Sequence, residues 1–267
     1  MRITGFVITL VMLASAMAAS LKKETVQAFD RYIRTTEAKL EQQRNSGQFL
    51  WVDSSPERVK LARQGQVVIE PLVGKGDTDV PGGLVHDWIG AAFIPGATLQ
   101  QTLNWVQDYD AHKKAYRPEV LDSRLLSHNG NDYKIYMRVT KKKVITVVLD
   151  TEHEVHYGQI DAARAYSKSY STKIAEVEDP GTSSEKVLPP GEGHGFLWRL
   201  DSYWKFQERD GGVYIECQAI SLTRSVPAGL GWLVEPIVRQ LPRQSLENTL
   251  RSTRDAVMAR RPKQLTM

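Results

Sequence analysis

Six histidines and one cysteine are the side chains of this chain best suited to chemistry. Their spacing limits what they can do. His153-Glu-Val-His156 places two imidazoles three residues apart. A helical zinc motif needs two histidines four apart on one face. On a strand, residues three apart point to opposite faces. The surrounding residues read as a strand, so the two rings should not share an ion and no metal site is expected. His86 and Asp87 are neighbours on a strand and also face opposite ways, so they cannot work as a dyad with each other. His194 lies in Gly191-Glu-Gly-His-Gly195, a flexible loop that could serve as a lid at a cavity mouth. No strand runs directly into it and no helix follows, so it is not a phosphate-binding loop. Cys217 shares a strand face with Val213, Ile215 and Ala219 and reads as a small buried hydrophobe. No nucleophile-elbow pattern is present. No catalytic residue and no cofactor is assigned on these grounds.

The aromatic residues say more. Along Gly195 to Gln207, the residues Phe196, Trp198, Leu200, Trp204 and Phe206 fall on one strand face by the period of two. Arg199, Asp201 and Lys205 fall on the other. The apolar face either fills a core or lines a cavity with rigid aromatic walls. Ser167, Ser169 and Ser171 share a face of another strand. Facing inward they would leave room for a ligand; facing outward, the plainer expectation, they are ordinary polar surface.

These residues need elements to hold them. Ser20 to Arg44 reads as a helix with Val26, Phe29, Ile33 and Leu40 at helical spacing. Phe49 to Val52 and Gln66 to Leu72 read as short strands, with a helix from Ser55-Pro56 to Gly65 between them. Gly74 to Gly83 has linker composition. The main domain starts with a strand over Leu84 to Ile94 and a helix from Ala97 to about Tyr116. Strands follow at Val120 to Ser127, Tyr133 to Thr140, Val144 to Ile160 and Ala165 to Val177. An exposed loop spans Asp179 to Gly195. A long hairpin then turns at Glu208 to Gly212, and a last helix runs from beyond Pro227 to about Arg260, divided by Pro242. Successive hairpins make the sheet antiparallel. A sheet with one wet face needs its other face covered, and the last helix, with Leu246, Leu250 and Val257 on one side, is the natural cover.

At the N-terminus, Arg2, the apolar run Phe6 to Ala14 and Ala16-Met-Ala18 have the form of a cleavable export signal. The run is short for a membrane span of ~20 residues, though an uncleaved anchor is the alternative. With a single cysteine, no intramolecular disulfide can form. The net charge of +4 is spread along the chain. It reads as solvated faces, and no nucleic-acid partner is expected. The expected organisation is a signal peptide over 1–18, an extension of helices and short strands over 19–80, and a main domain over 82–262.

The order strand, helix, six strands, helix resembles the START-like (SRPBCC) superfamily, in an exported bacterial branch. The stretches His86 to Ala97, Val106 to Asp110, Gly193 to Leu200, Ala219 to Pro227 and Leu241 to Glu247 carry the resemblance. It implies an α+β helix-grip fold: a curved antiparallel sheet of about seven strands wrapped around a long C-terminal helix. It also implies an elongated apolar cavity between the two. The residues expected to line it are Trp88, Phe196, Trp198, Trp204, Phe206, Leu246 and Leu250. The expected partner is a hydrophobic small molecule or lipid, with transient contact at a membrane surface. A cyclase- or hydrolase-like enzyme acting in the same cavity stays open as the other reading.

Overall fold

The computed structural model describes residues 20–45, 47–142, 146–225 and 231–260; the export signal read in the sequence lies outside them. An N-terminal helix α1 (Lys23–Asn45) is followed by a 3-10 turn (Trp51–Ser54) and α2 (Pro56–Arg63). The strands β1 (Val68–Pro71), β2 (Asp77–Val80) and β3 (Gly83–Pro95) come next, then α3 (Leu99–Val106) and α4 (Tyr109–Ala115). The run β4 (Val120–Asn129), β5 (Asp132–Lys142), β6 (Thr146–Gln159), β7 (Arg164–Glu178), β8 (Lys186–Val187), β9 (Arg199–Arg209) and β10 (Gly212–Arg224) leads into α5 (Gly231–Ala259).

The strands form one antiparallel sheet in the order β1-β3-β10-β9-β7-β6-β5-β4, with β2 beside β3 and β8 beside β7. Register shifts in the β4–β5 and β6–β7 pairs supply the local bends that let a long sheet curve. The β9–β10 turn is tight because Asp210 and Gly211 both take positive φ, at 56° and 75°, as a two-residue hairpin demands. The sheet curves around α5, as the helix-grip expectation requires. Gly90 shows how close the two lie: a Cβ there would meet Leu250 Cδ1 at 2.7 Å.

Local differences from the expected elements have physical reasons. Phe49 to Val52 is not a strand; Trp51–Ser54 winds into a 3-10 turn that buries Val52. The linker-like stretch after Gly74 contains β2, which pairs with β3 from Asp77↔His86 to Val80↔Gly83. The single helix expected over 97–116 is two. Thr98 and Gln101 form a capping box that starts α3, and the chain breaks at Gln107-Asp108 before α4. α5 runs on through Pro242 without dividing.

The larger departure concerns the second sheet face. Sequence alone leaves it wet, yet α1 covers it. Phe29 and Ile33 of α1 pack with Val85, Trp198, Tyr203, Ile220 and Leu222. Further along, Phe49, Leu50, Val52 and Ala62 cover Ala91, Phe93 and Tyr214. Residues 23–63 and α5 therefore lie on opposite faces of one sheet.

Candidate functional site

The face that grips α5 is built from alternate residues of each central strand. Val213, Ile215 and Cys217 of β10 face Leu246, Leu250 and Val257 of α5, together with Ile94, Ala97, Leu99 and Trp105. On β9, Phe206 and the partly buried Trp204 belong to the same cluster, stacked with centroids 5.9 Å apart and planes 5° from parallel. Trp88 also belongs to it, with Gly76 close against its ring. A Cβ on Gly76 would fall 2.0 Å from the indole, and its φ of +105° already demands glycine.

The expected aromatic row is only partly on this side. Trp198 precedes β9 and turns into the outer cluster with Phe29 and Tyr203. Phe196 sits outside the strand, 38% exposed, stacked on His194 at 5.1 Å. Alternation holds only within the strand, and its parity is lost before Arg199, where β9 begins. The serines are corrected in the other direction. Ala165 lies opposite Phe206, Ser167 opposite Trp204 and Ser169 opposite Ser202, and residues directly opposite share a face. Ser167 is buried. The inner face therefore sets two large rings on one strand against small side chains on the next.

A polar seam closes the end of this face at α3 and α4. The Tyr157 hydroxyl bonds the Val106 carbonyl at 3.3 Å and meets the Tyr109 hydroxyl at 2.8 Å. The Thr253 hydroxyl donates to the Thr249 carbonyl at 2.8 Å, which leaves it to accept from the Tyr116 hydroxyl at 2.8 Å. His112 lies between the rings of Trp105, Tyr109 and Tyr116, with centroids 5.6, 5.0 and 4.9 Å away. It is 4% exposed, and neither ring nitrogen makes a hydrogen bond. The carbonyls of Trp105 and Val106 lie near enough to favour its protonation, against the larger effect of burial, but not in strict bonding geometry. Outside, Arg260 stacks over Trp105 at 4.3 Å and pairs with Asp108 at 2.8 Å.

Burial sets the ionisation of every group here. It lowers His112 to about 4, raises Tyr116 to about 12, and raises Tyr109 and Tyr157. His153 and His86 are also pushed down by burial to about 4; His86 Nε2 meets the Thr223 hydroxyl at 2.9 Å. Cys217 is raised by burial and by Glu216. All of these groups are neutral near pH 7. As strand geometry requires, His153 and His156 do not converge; His156 pairs with Asp132 at 2.7 Å on the surface. Among the described residues no cluster of three metal-ligating side chains occurs.

The glycine loop around His194 is held rather than loose. The buried Glu176 carboxylate accepts the backbone N–H groups of His194, Gly195 and Phe196 at 2.8, 2.8 and 3.0 Å, and His194 Nδ1 at 3.0 Å. On the outer side of the sheet, an open groove of about 530 Å³ runs along α1, lined by Arg31, Arg34, Thr35, Ala38, Lys39 and Gln42.

The sequence reading missed His112, Tyr116 and Tyr157 as a group. Trp105, Tyr109, His112 and Tyr116 recur at spacings of four, three and four, which is one helical face, and that was the available signal. Tyr157 arrives only through tertiary packing.

No known family profile matches the chain, and no curated protein matches it either. Solved structures do resemble it. A STAR-related lipid transfer protein from Xanthomonas axonopodis is 19% identical, covering 68% of this chain and 98% of its own, with a TM-score of 0.43. TTHA0849 from Thermus thermophilus is 15% identical over 64% of this chain and 96% of its own, with a TM-score of 0.47. Human STARD10 is 12% identical over 74% of this chain and 79% of its own, with a TM-score of 0.42. Values of this size carry no information on ligand or activity.

Proposed function

We propose that this chain is an exported carrier or binding protein for a hydrophobic small molecule or lipid, held between the sheet and α5. The observation that carries the reading is the inner face itself. Trp204 and Phe206 form a flat apolar wall, and the adjoining strand sets only the short side chains of Ala165, Ser167 and Ser169 opposite it. Trp88, Leu246 and Leu250 complete the apolar lining. Removing apolar ligand surface from water there would yield ~25 cal/mol per Å² before ordering costs.

The other reading, a cyclase- or hydrolase-like enzyme in the same space, asks for a group poised to exchange a proton near neutral pH. The buried histidines at about 4 and the raised tyrosines are poor candidates. Export rests on the N-terminal signal pattern. Transient membrane contact fits the outward face of α1, where Arg31, Arg34 and Lys39 line the open groove and would be drawn to anionic lipid.

The test is incubation of the mature protein with a total lipid extract, followed by native mass spectrometry. A retained hydrophobic mass, reduced by Ser167→Phe, is expected. Recovery of protein with no captured molecule from any extract would overturn the reading.

A further inference from the structure

The seam at the α3–α4 end does something an apolar core does not require. Buried polar groups are almost always hydrogen-bonded, and each one left without a partner costs ~1–3 kcal/mol. The His112 imidazole is 4% exposed and has both nitrogens unpartnered. The Trp105 indole N–H beside it meets no partner in strict bonding geometry, though it lies near enough to the Tyr116 oxygen to favour that hydroxyl's ionised form. The two hydroxyl pairs are wired so that capacity is left over. Thr253 donates to Thr249, so Tyr116 donates to Thr253 and keeps its own oxygen as an acceptor. Tyr157 donates to Val106, so Tyr109 donates to Tyr157 and keeps its oxygen likewise. Donors and acceptors thus gather at one end of an otherwise apolar face that includes Phe206, Val213, Ile215 and Val257.

We propose that this end reads a neutral oxygen function, a hydroxyl or a carbonyl, on the hydrophobic ligand, and that the site selects such ligands over hydrocarbons and over carboxylates. His112 supplies one donor and one acceptor and Tyr109 an acceptor, while the Trp105 N–H and the Tyr116 oxygen, which lie near each other, would turn to the ligand as it enters. Arg260 is engaged outside the seam with Asp108 and the Trp105 face, and Lys113 of α4 pairs with Asp122, so an anionic group would enter without either as a counter-charge. This inference rests on the carrier reading and narrows its ligand class.

Three size-matched probes test it: naphthalene, 2-naphthol and 2-naphthoate, titrated by calorimetry at neutral pH into the folded protein. 2-Naphthol is expected to bind about 3- to 10-fold more tightly than naphthalene, the value of one or two net hydrogen bonds. 2-Naphthoate is expected to bind at least about 10-fold more weakly than 2-naphthol. In His112→Phe, and separately in Tyr116→Phe, which keeps the ring and removes one hydroxyl, the ratio of naphthol to naphthalene affinity should fall towards one. Thermal unfolding of each variant confirms that it is folded. Equal binding of all three probes overturns the oxygen-reading end and leaves the carrier intact. A naphthol preference untouched in both variants overturns the assignment to this seam. Failure of every probe to bind defeats the inference together with the carrier reading on which it rests.

Discussion

The two faces of the sheet solve the burial of polar groups in opposite ways. Beneath α1 the sheet buries carboxylates; beneath α5 it buries histidines and tyrosines. On the outer face Asp87 bonds Tyr32 at 2.8 Å and Gln218 at 2.9 Å. Glu37 accepts from the Tyr170 and Tyr203 hydroxyls. Glu216 pairs with Lys205 at 3.4 Å. The outer face thus joins its carboxylates to helix and sheet in a network, although Trp198 Nε1, Gln207 Oε1 and Arg209 Nε make no hydrogen bond. The inner face keeps its groups neutral and leaves part of their bonding capacity unused. A network of charged groups ties helix to sheet, whereas neutral polar groups set beside an apolar face are suited to a guest.

The comparison can be broken most directly on the outer side. Lys205 and Glu216 have side chains 9% and 2% exposed. Lys205→Met should cost about 3–5 kcal/mol by stranding Glu216, read from chemical denaturation, and Glu216→Leu in the same chain should recover much of it. An unchanged midpoint would show the pair to be solvated. On the inner side, Leu250 is fully buried against Gly90, and Leu250→Ala should cost about 2–5 kcal/mol in the same assay.

The pH dependence sharpens the contrast, because the two faces respond with opposite sign. Asp201 is raised to about 7, first by burial and then by the Glu37 and Asp30 charges. Its folded form holds a proton that the unfolded chain releases near its ordinary value of 3.8. Its contribution is full below that value and falls as pH rises towards 7. His112 is lowered by burial from 6.5 to about 4. Its contribution is present above 6.5 and lost as pH falls through that window. Asp201→Asn should therefore steepen the rise of stability between pH 4 and 7, and His112→Phe should flatten it, each by about 1–3 kcal/mol across the range. Denaturation midpoints at several pH values decide this; slopes changing in the same direction would refute the assignment. The smallest expected effect is at Gly76. Gly76→Ala should displace the Trp88 ring and shift tryptophan fluorescence, at a cost of about 1–3 kcal/mol.

The order of elements was legible because hairpin alternation and turn residues are local signals. Trp204, Phe206, Leu246 and Leu250 were legible for the same reason, being periodic within regular elements. What could not be read was which face another segment would cover. Asp201 and Lys205 look like solvated residues until α1, more than a hundred and fifty residues earlier, is laid over them. Trp198 was misplaced because its strand starts one residue later, at Arg199. Ser167 gave no clue to its direction, since a small polar side chain suits either face. Half of the seam was legible as the helical spacing of Trp105, Tyr109, His112 and Tyr116; Tyr157 and Thr253 join it only through tertiary packing.

The Glu176 clamp divides the long loop between β7 and β9 into two parts with different freedom to vary. Three consecutive backbone N–H groups converge on one carboxylate. A Cβ at Gly193 would meet that carboxylate at 2.6 Å, and one at Gly195 would meet Arg224 at 2.7 Å. Residues 192–196 are thus closed to insertion, and Gly193 and Gly195 to any side chain. The exposed stretch from Asp179 to Lys186 has no such stitch to the carboxylate. Glu185 ties the end of that stretch to Arg138 and Lys186 pairs with β7, so the exposed turn before them, residues 180–184, is where a protein engineer could splice a tag at least cost.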